Sequence, residues 1–233
     1  MSIIPEKRLR EALDLPDWRF VNHQLRKAAI LREADRFPRT LKVLDVGCAA
    51  GDVTIELAGM GFEARGIELE DWRLQVATDL GRDVGSPAVF EKSDAARLRD
   101  TGERFGLIIM GEILEHFYEP WEILDEIAQV CEPRAHIIAT TPNMASLRAR
   151  LKLSLLGMFP DHNPEHRYFY TCRRFREMVA RTRFEVLACR TIVPTLFYNL
   201  GPLTRLERGF WSGVNGVLGG LGENLLALCR LKE

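Results

Sequence analysis

Residues 112–116 read "EILEH" and place two carboxylates and an imidazole at i, i+3 and i+4, on one face if the turn is helical. Glu112, Glu115 and His116 in that arrangement can take a proton as a general base or bind a hard or borderline divalent ion such as magnesium. Upstream, "VLDVGCAAGDVTIEL" (43–57) ends an apolar run on Asp45 and sets Gly47 and Gly51 in the turn that follows. Glycine there admits close backbone approach to a ligand, or a dihedral that a Cβ would forbid. The spacing is Gly-x-x-x-Gly and not the Gly-x-Gly-x-x-Gly that cradles a pyrophosphate, which argues against a dinucleotide-dependent dehydrogenase.

Two further acids follow at the ends of apolar runs. "GIELE" supplies Glu68, placed to accept two hydrogen bonds from a ribose diol, and "VFEKSDA" supplies Asp94, placed to meet the amino group of a purine. Three acids and two glycines at successive strand ends describe a pocket for a positively charged nucleoside. S-adenosylmethionine fits that description.

Elements that would hold these residues are legible in the periodicity. Strand-like runs occupy 41–46, 62–69, 87–92, 105–110, 134–140, 184–193 and 224–231. "DVTIELAGM", "DWRLQVATDL", "PWEILDEIAQV" and "CRRFREMVART" carry apolar residues at helical spacing. The alternation predicts an α/β fold, a mostly parallel sheet with helices on both faces, whose last two strands form an antiparallel pair. Residues 1–39 read as an amphipathic helical cap that covers the ligand or docks on the sheet. Residues 40–142 read as the cofactor-binding half, and 143–165 and 195–222 as insertions on the acceptor side.

With 233 residues, 46% hydrophobic and 28% charged, the chain has the make-up of one soluble domain. The N-terminus lacks an apolar core behind a basic start, which predicts a cytoplasmic protein. Five scattered cysteines without a CxxC pair suggest neither a disulfide framework nor a zinc site, but small buried hydrophobes. The net charge of −1 conceals −11 over residues 40–142 and +6 over 143–190. A basic segment after an acidic one can serve an anionic substrate or lipid headgroup, or be a solvated helical face.

"VLDVGCAAG", "GIE", "SDA" and "FGLIIMGEILEHFYEPWEILDEIAQVCEPRAHIIATTPN" together resemble class I S-adenosylmethionine-dependent methyltransferases over residues 40–190. The resemblance implies a single Rossmann-like domain, with a seven-stranded sheet and an antiparallel last strand. It also implies that Asp45, Gly47 and Gly51 hold the aminocarboxypropyl end of the cofactor, Glu68 the ribose, Asp94 and Ala95 the adenine, and Gly111 the methionine side. Ala49 stands where glycine is common. The acceptor side resembles the metal site of ubiquinone-pathway phenol O-methyltransferases and small-RNA ribose 2′-O-methyltransferases. By the latter, "EHRYFYT" maps His166 beside Glu112, Glu115 and His116 as a fourth ligand; without a metal, His116 and His166 are the candidate catalytic bases. His162 reads as an exposed loop residue, His136 as structural, and His23 as a cofactor contact or a helix cap.

The acceptor is the least determined element. Tyr168, Phe169 and Tyr170 in the basic segment offer part of an RNA surface, but no RNA-binding module accompanies them, which disfavours nucleic acid. The apolar insertions point instead to a small-molecule or lipid-like acceptor with peripheral membrane contact, and equally to core packing or a homodimer contact. The expectation is transfer of methyl to a hydroxyl, with RNA ribose methylation and a catalytically silent cofactor-binding scaffold as alternatives.

Overall fold

Apolar runs bounded by Gly, Asp and Pro become strands, and the 3.6-periodic runs between them become helices, in a computed structural model that describes residues 2–95, 98, 102–158, 163–192 and 220–233, with Trp18 described by its backbone alone. The strands are β1 Lys42–Val46, β2 Glu63–Glu68, β3 Val89–Lys92, β4 Phe105–Gly111, β5 Cys131–Pro142, β6 Phe184–Ile192 and β7 Asn224–Leu231. They form one seven-stranded sheet in the order β3-β2-β1-β4-β5-β7-β6. β1 to β5 run parallel, and β7 is antiparallel to both of its neighbours. The expected antiparallel last strand is therefore present.

Helices α3 Asp52–Gly59, α4 Asp71–Asp83, α5 Pro120–Ile127 and α7 Cys172–Val179 lie where the spacing predicts them. Pro120 suits the start of α5 because the first turn leaves its N–H groups unpaired anyway. The Thr171 hydroxyl caps α7 by accepting the Arg174 amide at 3.2 Å. Successive residues of a strand face opposite ways. Leu44, Val46, Ile108 and Met110 thus pack with α5 and α7 on one face of the sheet. Val43, Leu107, Ile109 and Ile138 pack on the other with Ile30, Ala34 and Leu57.

The N-terminal region forms α1 Glu6–Leu13 and α2 Asp17–Ala34. Ile30 and Ala34 seat the end of α2 in the second core layer, while Arg19, Asn22, His23 and Arg26 near its start line a cavity. One end of α2 is thus packed against the sheet and the other faces the cavity. The first insertion contains α6 Leu147–Leu156, capped by Ser146, whose hydroxyl accepts the Ala149 amide at 3.1 Å, and closed by Gly157 at φ 59°. Most of the second insertion, residues 195–219, lies outside the described residues, as does His162. No helix among the described residues is long and apolar enough to cross a membrane.

Candidate functional site

The strand order reverses between β1 and β4, and the crevice beyond their carboxyl ends is where open α/β sheets bind ligands. Asp45, Gly47, Gly51, Glu68, Gly111 and Glu112 all gather along this edge, with Asp94 and Ala95 just after β3. Gly47 and Gly51 have φ of 68° and 73°, and Ala49 between them has 49°, so the loop turns through the left-handed region three times. The Gly47 and Cys48 amides both donate to the Ile67 carbonyl, at 2.9 and 3.0 Å, which ties the loop to the end of β2.

The two glycines are required for different neighbours. A Cβ at Gly51 would come within 2.5 Å of the Phe90 ring and 2.8 Å of the Ala77 Cβ, so this position is fixed by the protein's own packing. The φ of 73° is also the kind of dihedral that a Cβ disfavours, one of the two reasons expected from sequence for a glycine there. A Cβ at Gly47 would strike Ile113 Cδ1, the end of a side chain that can turn aside. At Gly111 it would meet Ile30 and Thr140 only at ordinary contact distance, 3.8 Å, leaving space over the end of β4.

Each acid on this edge has a local partner. Asp45 is buried and accepts the Thr54 hydroxyl at 2.7 Å; burial pushes its carboxyl up to about 7, with the charges of Asp52 and Glu68 adding to the effect. Glu68, also buried, accepts the amides of Ala49 at 3.0 Å, Leu69 at 2.9 Å and Glu70 at 3.1 Å. Asp52 is missing from the sequence-derived set. Burial alone would raise its pKa, but His23 Nε2 at 2.9 Å and Lys27 Nζ at 3.0 Å hold it below the usual carboxylate range. His23 therefore pins α2 to α3. The signal for this pairing, a His and a Lys four residues apart on α2, is visible in sequence only once the partner acid is known.

Beyond β4 the pattern changes. Glu115, His116 and His166 each offer a ligand atom, and those atoms lie within 4.8 Å of one another. The two imidazoles meet edge to face with ring centres 4.9 Å apart. The chain returns to this place because the Arg167 and Tyr168 amides donate to the Glu115 carbonyl at 2.7 and 3.0 Å. Glu115 is buried, and neither of its carboxylate oxygens has a hydrogen-bond partner in good geometry among the described residues. Burial, and then the Glu112 charge, raises its pKa well above the ordinary value. His116 is shifted down, by its half-buried position first and by His166 second.

Glu112 does not join the other three. Its backbone sits at φ 55°, and its carboxylate is held by Arg26 at 3.4 Å and by the Asn224 amide at 3.2 Å. The expected face of three residues is broken because the helical turn begins only at Leu114, so i and i+3 do not align. His136 lies in β5 with its ring 4.9 Å from Phe37, its pKa lowered by burial and then by Arg230, a structural place as expected. Cys172 and Cys189 are only half-buried and their sulfurs touch at 3.0 Å, unlike the isolated buried thiols expected.

A cavity of about 840 Å³ opens beside this cluster, lined by His166, Glu112 and residues of α2 and α6. A family model described as a methyltransferase domain matches residues 18–188, and that span contains β1 to β5 and every residue of the edge just described. The chain belongs to that family, the class I S-adenosylmethionine-dependent methyltransferases.

Among curated relatives, the chain is 22% identical to the ubiquinone biosynthesis O-methyltransferase of Rickettsia conorii, over 74% of this chain and 61% of the relative. It is 32% identical to the enzyme of the same name from Methylococcus capsulatus, over 50% of this chain and 48% of the relative. It spans about half the length of the curated relatives it matches. Among solved structures it is similar to magnesium protoporphyrin IX methyltransferase from Synechocystis with bound SAH, at TM-score 0.67 and 16% identity, covering 97% of this chain and 94% of that one. A cyclase superposes almost as well, at TM-score 0.65 and 17% identity, covering 88% and 80%. The shared fold alone therefore does not fix a reaction.

Proposed function

We propose that this methyltransferase transfers methyl from S-adenosylmethionine to a hydroxyl oxygen of a small or amphipathic acceptor bound in the cavity beside His166. The observation that carries the reading is the convergence of Glu115, His116 and His166 next to that cavity. The acidic loop and strand ends suit the cofactor's cation: Asp45 and Glu68 lie at the ends of β1 and β2, and Gly111 leaves space above β4. The bound cofactor supplies an electrophilic methyl on a sulfonium, open to in-line displacement by the acceptor oxygen. A hydroxyl must also lose its proton. His116, shifted below the ordinary histidine value, is neutral near pH 7 and takes that proton at a ring nitrogen, while His166 packed against it fixes the ring. The relatives named as O-methyltransferases support oxygen as the acceptor atom.

A divalent ion fits the same cluster, since the two orphaned oxygens of Glu115 lie within ligand reach of both imidazoles. Glu115, His116 and His166 would hold it, and it would supply Lewis acidity toward the acceptor hydroxyl. One carboxylate and two imidazoles suit a borderline ion better than the magnesium expected with Glu112 as a second carboxylate.

Methyl transfer to a panel of catechols and sugars, measured with and without EDTA, separates the two versions. If the ion is used, EDTA stops turnover while S-adenosylhomocysteine still binds; if His116 acts as base, EDTA has no effect and the rate falls as pH drops through the His116 pKa. Turnover indifferent to EDTA and retained in His116→Ala and His166→Ala would remove the cluster from the reaction.

A further inference from the structure

Five cationic side chains, Arg19, Arg26, Arg73, Arg148 and Lys152, and three carboxylates, Glu112, Glu165 and Glu223, line the cavity. Arg26 is consumed by Glu112, which it meets at 3.4 Å. Arg73 from the first turn of α4 and Lys152 from α6 line the same space, and neither has a carboxylate within 4.0 Å among the described residues. Arg73 lies over the exposed Trp72 ring at 5.2 Å and carries its positive charge toward His116, whose pKa it helps to lower. Lys152 shares the α6 wall with Arg148. Of the carboxylates in the lining, Glu223 is pushed up to about 7 by burial in spite of Arg148 and Lys152, so it offsets the charge of Lys152 only in part at neutral pH. Cations in excess of carboxylates around a concave space raise the local concentration of an anion and favour its binding there.

We propose that the methyl acceptor carries an anionic group, a carboxylate or a phosphate, beside the hydroxyl that is methylated, and that Arg73 and Lys152 receive it. The inference rests on the reading of the cavity as the acceptor site. Arg73 is the better match for a flat carboxylate or a phosphate edge because its guanidinium presents paired donors, while Lys152 acts as a point charge. Arg73 from α4, Lys152 from α6 and His166 line one cavity, so an acceptor held by the two cations lies in the same space as His166 of the Glu115, His116 and His166 cluster.

The test is calorimetry on the full chain in the presence of S-adenosylhomocysteine, with benzoate, phenyl phosphate and the neutral benzyl alcohol as probes. At least one anion is expected to bind about tenfold tighter than benzyl alcohol, with the excess shrinking as NaCl is raised. The tighter of benzoate and phenyl phosphate identifies the group. Arg73→Gln and Lys152→Gln should each remove most of the excess, with Arg73→Lys restoring part of it. Equal binding of neutral and anionic probes, no measurable binding of either anion, or an anion preference that survives in the folded double variant would overturn the proposal. Transfer to 3,4-dihydroxybenzoate and to catechol is read separately. If the anions bind as expected but neither compound is methylated, it is the transfer reading that fails and not the charge assignment.

Discussion

The rim of the sheet has two unlike halves. Around β1 and β2 every buried acid is answered by the protein itself: Glu68 by three amides, Asp45 by a hydroxyl, Asp52 by a histidine and a lysine. Around β4 and the cavity, by contrast, neither Glu115 oxygen has a hydrogen-bond partner in good geometry, and Arg73 and Lys152 have no carboxylate within 4.0 Å, among the described residues. A satisfied polar group holds the backbone in shape before any ligand arrives. A buried carboxylate without such partners keeps its desolvation cost until a proton or an ion binds it, which sets Glu115 apart from Asp45, Asp52 and Glu68.

The largest effect that would separate the halves is on turnover. His116→Ala should lower the methyl-transfer rate by about 10²–10⁴-fold while S-adenosylhomocysteine binds as before, because the base is lost and the first half is untouched; a loss of cofactor affinity instead would merge the two halves. Next is Gly51→Val, which should destabilise the fold by about 3 kcal/mol or more, since it forces a β-branched residue to positive φ against Phe90 and Ala77. Thermal melting checks this, and Gly47→Ala should cost less because Ile113 can move. The intermediate effect is in pH dependence. Folded Asp45 keeps a proton up to about 7 that the unfolded chain releases near 3.8, so its contribution to stability is full at low pH and is lost as pH rises through 7. Asp45→Asn should therefore stabilise the protein more at pH 8 than at pH 5, by ~2 kcal/mol, in denaturant melts at the two pH values. A gain that does not change with pH would mean that Asp45 is ionised throughout.

The fold was readable because its signals are local. All seven strands and four of the helices announce themselves by period and by bounding Gly, Asp and Pro, and α2 is amphipathic enough to be expected as a helix. The cofactor edge was legible for the same reason, each acid ending an apolar run. What stayed hidden depends on where a turn starts or on contacts between distant segments. Glu112 was grouped with Glu115 and His116 on a helical spacing, but the backbone turns left-handed at Glu112 and aims it at Arg26. Asp52 with His23, and Cys172 with Cys189, are pairings across 29 and 17 residues that no periodicity encodes. The positive φ at Gly51 agrees with the dihedral reason expected for a glycine there, while the Phe90 and Ala77 contacts that add to it come from other segments and carry no local signal.

The position of β7 bears on how the chain reaches this structure. Synthesis makes β5 and β6 first, yet the strand that joins them follows both and must slot between two edges already made. Until it arrives, β5 presents a bare row of amides and carbonyls flanked by Ile137 and Ile138, the kind of edge to which a second chain can add a strand. Closing the gap requires pairing Asn224 with both Pro142 and Ile192, contacts far apart in sequence and therefore slow to form. The long-range pairing that completes the sheet is therefore the contact in the fold whose delay would leave an open strand edge.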